Sequence, residues 1–125
     1  MPIDATQPYD DNNIFARILR GELPSKTVYD DEFALAFHDI NPQAPLHILV
    51  IPKGAYVSWD DFSARASDAE IAGFVRAVGQ VARDAGLVAP GYRLLVNTGL
   101  DSHQEVPHLH VHIFAGQKLG PMLAR

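Results

Sequence analysis

The stretch from Pro107 to Phe114 restricts what this chain can fold into more than any other, because its polarity alternates at every step. His108, His110 and His112, three of the six histidines, are interleaved with Leu109, Val111 and Ile113. Strict two-residue alternation marks a β-strand with one face buried, since successive side chains on a strand point to opposite sides. The pattern predicts a strand that sends Leu109, Val111 and Ile113 into a core and lines three imidazoles along the other face. That face is expected to be open, where three imidazoles suit chemistry better than packing.

Two chemistries use such a row. Alternate residues on a strand stand about 6.7 Å apart, so His108 and His112 are separated by about 13 Å at Cα. A zinc ion takes imidazole nitrogens at about 2.0–2.1 Å, and the outer two rings can hardly meet on one ion. Two of the three could still chelate a metal with His47 or a carboxylate, although the chain has no cysteine to add. Nucleophilic and acid–base catalysis ranks first. A neutral imidazole can attack phosphorus or an acyl carbon and form a covalent intermediate. The ordinary histidine pKa near 6.5 keeps that form populated at neutral pH. A second imidazole one pleat away can serve the departing group, while the outer residues set tautomers.

The rest of the chain supplies the frame. Asn12 or Asn13 can cap a short helix whose apolar face is Ile14, Phe15, Ile18 and Leu19, with Gly21 ending it. Val28-Tyr29 and Phe33 to Phe37 flank a turn at Asp30-Asp31-Glu32, and Leu46 to Ile51 reads as a third strand between two prolines. Ser67-Asp68-Ala69-Glu70 is a capping box. It opens a long helix with Ile71, Phe74, Val75, Val78 and Val81 toward the core, ending at Gly86. Tyr92 to Val96 and Leu109 to Phe114 give the last two strands. The order predicts an α+β fold, a mainly antiparallel five-stranded sheet with two helices. Residues 1–11 read as a flexible leader and 12–125 as a single domain.

Composition excludes several classes. At 125 residues and 47% hydrophobic the chain is long enough for one packed core, with a mean hydropathy near zero. No apolar run approaches the roughly 20 residues of a membrane span. The polar, acidic first thirteen residues do not resemble a secretory signal. Zero cysteine removes disulfides and fits a reducing, cytoplasmic location. A net charge of −5 argues against a broad nucleic-acid surface.

His108 to Phe114 resembles the defining signature of the histidine triad family of nucleotide hydrolases and transferases, three histidines alternating with apolar residues. The segment from Ala36 to Lys53 is similar to that family's nucleoside-binding hairpin. Gly91 to Asn97 and Gln104-Glu105-Val106 resemble the strand and loop that bring the phosphate ligands. Ile14 to Pro24 resembles the first helix and its exit, and Leu119-Gly120-Pro121-Met122 the tail of bacterial members. The resemblance runs from about residue 12 to the C-terminus and points to the Hint branch, whose members are purine nucleoside phosphoramidases.

That resemblance implies a HIT-like fold and a set of roles. His110 would be the nucleophile, attacking the α-phosphorus to give a nucleotidyl-histidine. His112 would meet the phosphate and the leaving group. His108 would orient the cluster, its carbonyl accepting from the His110 ring, and His47 would pack against the triad. Asp39 would accept from the ribose hydroxyls. Phe15, Ile18, Phe37, His38 and Ile40 would form a flat purine slot open to adenine and guanine alike. Asn97, Gln104 and Glu105, with backbone N–H groups near His103, would hold phosphate oxygens, and Val111 is counted among the nucleotide contacts. Glu105 departs from the animal pattern, where a serine stands; a carboxylate repels phosphate, so it is expected to offer its backbone or to meet the leaving amine. Ser102-His103 replaces a pair that is usually glycine-rich. No metal or other cofactor is expected. The implied activity is hydrolysis of AMP or GMP conjugates at a P–N bond. Cleavage of dinucleoside polyphosphates or aminoacyl adenylates, or a nucleotide-binding interaction module with incidental turnover, are the alternatives. A homodimer is implied too, with the small residues Gly73, Ala77 and Gly79 of the long helix allowing close approach.

Overall fold

Five strands form one antiparallel sheet and three helices pack on it, in a computed structural model that describes residues 1–123. The last two residues of the domain expected over 12–125 lie outside the described residues. Helix α1 (Ile14–Leu19) starts where Asn13 turns its side chain to accept the Ala16 N–H at 2.9 Å. Strands β1 (Thr27–Asp30) and β2 (Ala34–His38) meet at a turn that Asp31 organises. Its carboxylate accepts from the N–H groups of Phe33 and Ala34 at 2.7 and 2.9 Å. Strand β3 (Leu46–Pro52) is followed by α2 (Trp59–Arg65) and α3 (Asp68–Asp84), then β4 (Arg93–Leu95) and β5 (Val111–Ala115).

The strand order is β1-β2-β3-β5-β4, so the histidine strand lies between β3 and β4. Its register places His112 opposite Leu49 and Leu95, and Phe114 opposite His47. Each face of the sheet carries its own cluster. On one, Ile48, Val50, Leu109, Val111 and Ile113 pack with Phe62, Phe74, Ala77, Val78 and Val81. On the other, Phe15 of α1 packs with Leu35, Phe37, Leu49 and Ile51. The interleaved apolar residues of the histidine stretch therefore enter the core under α3, and the histidines share the α1 face.

The sheet and its α+β class match the expectation, and the structure adds a helix. Helix α2 escapes a periodicity reading because Phe62 is its one buried residue, which leaves no repeat to detect. The Ser67–Glu70 capping box forms with both of its bonds. Helix α3 ends as expected at Gly86, whose φ of +72 suits glycine and lets Leu87 N–H reach back to Ala82. Val75 is a correction: it is 54% exposed, because the buried stripe runs through positions 74, 78 and 81 and leaves position 75 on its outer edge. The small residues of α3 are also used within the chain. A Cβ on Gly73 would come 2.2 Å from the Phe33 ring, and Ala77 is buried in the core.

The segment read as a leader makes defined contacts. Ile3 N–H donates to the Gln104 carbonyl at 2.7 Å, and the Tyr9 hydroxyl reaches His108. Among the described residues, no helix is long and apolar enough to cross a membrane.

Candidate active site

The ladder between β3 and β5 stops at the Val50–Val111 pair, and the site begins where it stops. Two residues further along β3 stands Pro52, which has no N–H to continue the pairing. Leu109 N–H turns to the Tyr56 carbonyl at 2.8 Å, and the Pro52 carbonyl meets His108 Nε2 at 2.9 Å. The first two histidines thus stand on a strand extension held by bonds of its own. They are also covered: His108 is 0% and His110 7% exposed. The expected open face is closed by α1 and the segment before it. The Phe15 ring sets its edge against His110 at 5.0 Å and His108 at 6.4 Å, and Tyr9 lies 5.6 Å from His108.

Backbone partners decide where each ring carries its proton. A carbonyl can only accept and a backbone N–H only donate. His108 Nε2 donates to Pro52, so its Nδ1 is an acceptor facing the Tyr9 hydroxyl at 2.6 Å. His110 Nδ1 donates to the His108 carbonyl at 2.7 Å, which leaves its Nε2 with a free lone pair. His47 Nδ1 accepts from Gln43 N–H at 3.0 Å, so its proton is on Nε2. That Nε2–H donates to His112 Nδ1 at 2.8 Å, and the His112 proton therefore sits on Nε2. The result is one ring with an unshared pair, His110, beside another that presents an N–H, His112. Their centroids are 5.1 Å apart.

All four rings favour the neutral state. Burial holds His108 down to about 4, against the pull of the Pro52 carbonyl. Burial, reinforced by His110 and His47, holds His112 down to about 3. Burial also lowers His110, opposed by the His108 carbonyl and the carboxylates of Asp39 and Glu105. His47 is lowered for the same reason, with Asp39 opposing. A neutral His110 at neutral pH is a competent nucleophile.

Donor atoms of Asp39, His47 and His112 converge within 4.8 Å, close enough to suggest a cation site. The proton positions do not fit one. A metal on His47 Nε2 would need that lone pair and would push the proton to Nδ1, directly against the Gln43 N–H. The cluster is a hydrogen-bonded set: His47 Nε2 lies 3.5 Å from Asp39 and closer to His112.

The remaining expected residues divide into three groups. Asp39 is half-buried at the end of β2, one oxygen accepting from Asn41 N–H at 2.8 Å and the other near His47. Phe15 and Phe37 are buried and edge-on at 5.6 Å, with Ile18 half-buried against them, while His38 and Ile40 are exposed at the rim. Asn97 is half-buried, two residues past the Leu95–His112 pair.

The third group is the loop. Gln104 is 1% exposed and its amide is committed inside the chain. Its oxygen accepts from Gly99 N–H at 2.9 Å, and its nitrogen donates to the Val57 and Val106 carbonyls at 2.7 and 3.0 Å. With both amide hydrogens used, it braces the loop and has none to offer a phosphate, which corrects the role expected for it. His103 takes a φ of +65, and its ring meets Glu105 at 3.1 Å on the exposed side. The Val111 side chain belongs to the core under α3, on the face away from the triad, so only its backbone can meet a nucleotide.

Tyr9 and Phe114 join the site without having been singled out. Phe114 stacks on His112 at 4° and 5.4 Å and packs on His47 at 4.3 Å. Its position, two after His112, continues the same alternation and was open to detection. Tyr9 had no signal, being 99 residues from its partner.

Comparison with known proteins fits this geometry. The HIT domain model matches residues 20–119. A purine nucleoside phosphoramidase of Escherichia coli K12 is 42% identical over 114 residues, covering 91% of this chain and 95% of that protein. An uncharacterized HIT-like protein of Azospirillum brasilense is 71% identical over 117 residues, covering 94% and 96%. Among solved structures, a HIT family hydrolase from Clostridium thermocellum superposes with a TM-score of 0.82 at 38% identity, covering 92% and 99%. A histidine triad protein from Clostridium difficile gives 0.80 at 40%, covering 93% and 100%. With the HIT domain model matched over residues 20–119 and the three histidines on β5 and the extension that leads into it, the chain belongs to the histidine triad (HIT) family.

Proposed function

We propose that the protein hydrolyses purine nucleoside phosphoramidates at the P–N bond through a nucleotidyl intermediate on His110. The observation that carries this reading is the tautomer of His110: the bond from Nδ1 to the His108 carbonyl leaves Nε2 as the one ring nitrogen with an unshared pair aimed away from the backbone. That Nε2 pair attacks the α-phosphorus, and a P–Nε2 bond forms as the P–N bond breaks. The departing nitrogen keeps the bonding pair and takes up a proton from solvent water. Water then attacks phosphorus and returns a proton to solvent, the P–Nε2 bond breaks, and the nucleoside monophosphate leaves with His110 neutral again. Nε2–H of His112 is the donor for the phosphate oxygens and the leaving group. The similarity to the Escherichia coli phosphoramidase supports the substrate class.

In this reading Asp39 accepts from the ribose hydroxyls, and the base lies against Phe15, Ile18 and Phe37 with His38 and Ile40 at its edge. Asn97 and the backbone around Glu105 meet the phosphate. No step calls on a metal or another cofactor. We infer in addition a two-fold homodimer. Its support is exposed apolar surface at the edge strand β4, where Tyr92 and Leu94 are 37% and 48% exposed. Sedimentation equilibrium that gives a fully active monomer would overturn the dimer.

The deciding experiment is a substrate panel. Nucleoside phosphoramidates, dinucleoside polyphosphates and aminoacyl adenylates are compared by kcat/KM, with acid quench to trap the adduct. The expected outcome is preference for purine phosphoramidates and a nucleotide bound to His110. Preference for a polyphosphate or an adenylate would move the assignment to that substrate. Binding without turnover of any of them would leave an interaction module.

A further inference from the structure

We propose that Tyr9 is a positioning residue for the reacting histidine, which makes the segment before α1 part of the active site. The inference rests on His110 being the nucleophile and extends it to a residue at the far end of the chain. The Tyr9 hydroxyl lies 2.6 Å from His108 Nδ1, and on the other side of that ring Nε2 donates to the Pro52 carbonyl at 2.9 Å. A wholly buried imidazole held at both nitrogens cannot turn without leaving a polar atom unpaired. The same residue offers its carbonyl to His110 Nδ1 at 2.7 Å. Tyr9 therefore fixes the ring of His108, His108 fixes its own carbonyl, and that carbonyl fixes both the orientation and the tautomer of His110.

Two further features hold the hydroxyl at that ring without a packed core around it. Tyr9 is held in place from both sides. Upstream, Ile3 N–H is tied to the Gln104 carbonyl at 2.7 Å; downstream, the Asp10 carbonyl accepts from Asn13 at 2.7 Å and the Asp11 carbonyl from Arg20 at 2.8 Å. An open cleft of about 530 Å³ separates residues 5–9 from α2, so the segment is not packed as core. Burial raises the Tyr9 hydroxyl pKa, with Asp11 and Asp10 acting the same way and Asn13 and Arg20 opposing, so it remains a donor. The upstream tether lands on Gln104, which braces the loop beside the triad. One short segment thus touches both the loop and the first histidine.

The test is Tyr9→Phe in the full chain, which removes one oxygen and keeps the ring. Side-chain nitrogen NMR on histidine-labelled protein reads the tautomers, and steady-state kinetics with a purine nucleoside phosphoramidate reads the rate. The wild type is expected to show His110 as a single Nδ1–H tautomer. The variant should show a mixture, with kcat reduced about tenfold, as is typical when an outer partner orienting a histidine is lost. KM should be unchanged, while the melting temperature should fall by several degrees as His108 Nδ1 loses its partner. A variant that keeps the single His110 tautomer overturns the proposal whatever its rate, and so does an unchanged kcat. Should the wild type cleave no phosphoramidate, the functional reading fails and the tautomer measurement alone decides the role of Tyr9.

Discussion

On the α3 side of the sheet, Ile48, Val50, Val111 and Ile113 meet Phe74, Ala77, Val78 and Val81 in apolar contact. On the α1 side, the four histidines are held by two short runs of single hydrogen bonds, one from Tyr9 through His108 to His110 and one from Gln43 through His47 to His112. The first face is a sum of many small contacts, so losing one weakens the total in proportion to the surface lost. The second is two such runs, in which a neighbouring group sets where each ring carries its proton. Losing one there strands a buried polar atom at about 1–3 kcal/mol and changes what the neighbouring ring can do. Two faces of one sheet therefore fail differently, one chiefly in stability and the other chiefly in rate.

The largest break belongs to the histidine face. His110→Ala is expected to lower kcat by roughly four orders of magnitude or more while nucleotide binding survives. His112→Ala, which removes a donor that water can partly replace, should cost about a hundredfold. Full activity in His110→Ala, or an adduct mapped to another residue, would refute the assignment. On the other face, Ile113→Ala should cost about 2–5 kcal/mol in urea denaturation, with a far smaller loss of kcat while folded. If Ile113→Ala stopped catalysis as thoroughly as His110→Ala, the contrast between the faces would collapse.

Acid sharpens the same contrast. His108 and His112 have pKa values held down to about 4 and about 3 in the folded chain, against 6.5 for the free side chain. Between those limits the unfolded chain binds more protons than the folded one, so stability is complete above pH 6.5 and falls as pH drops toward 4. Each such histidine steepens the fall by about 1.4 kcal/mol per pH unit. Because His110 is lowered as well, the acid limb of kcat/KM should lie below pH 6.5. A stability curve flat from pH 7 to 4.5 would contradict the buried neutral rings. The smallest expected effect is none: exhaustive chelation should leave turnover unchanged, and recovery of lost activity by one equivalent of zinc would contradict the proton positions assigned to His47.

What the sequence disclosed follows the same division. Alternation along 108–114 foretold which residues enter the core, and the Ser67–Glu70 box foretold where the long helix begins, because both are written in local spacing. The burial of His108 and His110 was not legible. It depends on α1 and Tyr9 folding over the strand from the opposite end of the chain, a contact without period or motif. The committed amide of Gln104 was hidden for a related reason: its carbonyl partners, Val57 and Val106, are backbone groups that any residue could supply. Helix α2 fell below detection because a single buried phenylalanine makes no pattern.

The alternation also limits how this protein can change. Each reacting ring is flanked on both sides by a residue locked in the core, Leu109, Val111 and Ile113 being 1%, 3% and 0% exposed. Such a strand works as a lever: crowding beneath it shifts an imidazole above it, and displacement of about an ångström at a reacting atom can cost a hundredfold in rate. The catalytic row cannot drift while the core stays still, nor the core while the row stays still. New substrate preferences are therefore expected to arise at the exposed residues of the turn from residue 38 to 45 and of the loop from residue 98 to 106, which can vary without moving the lever.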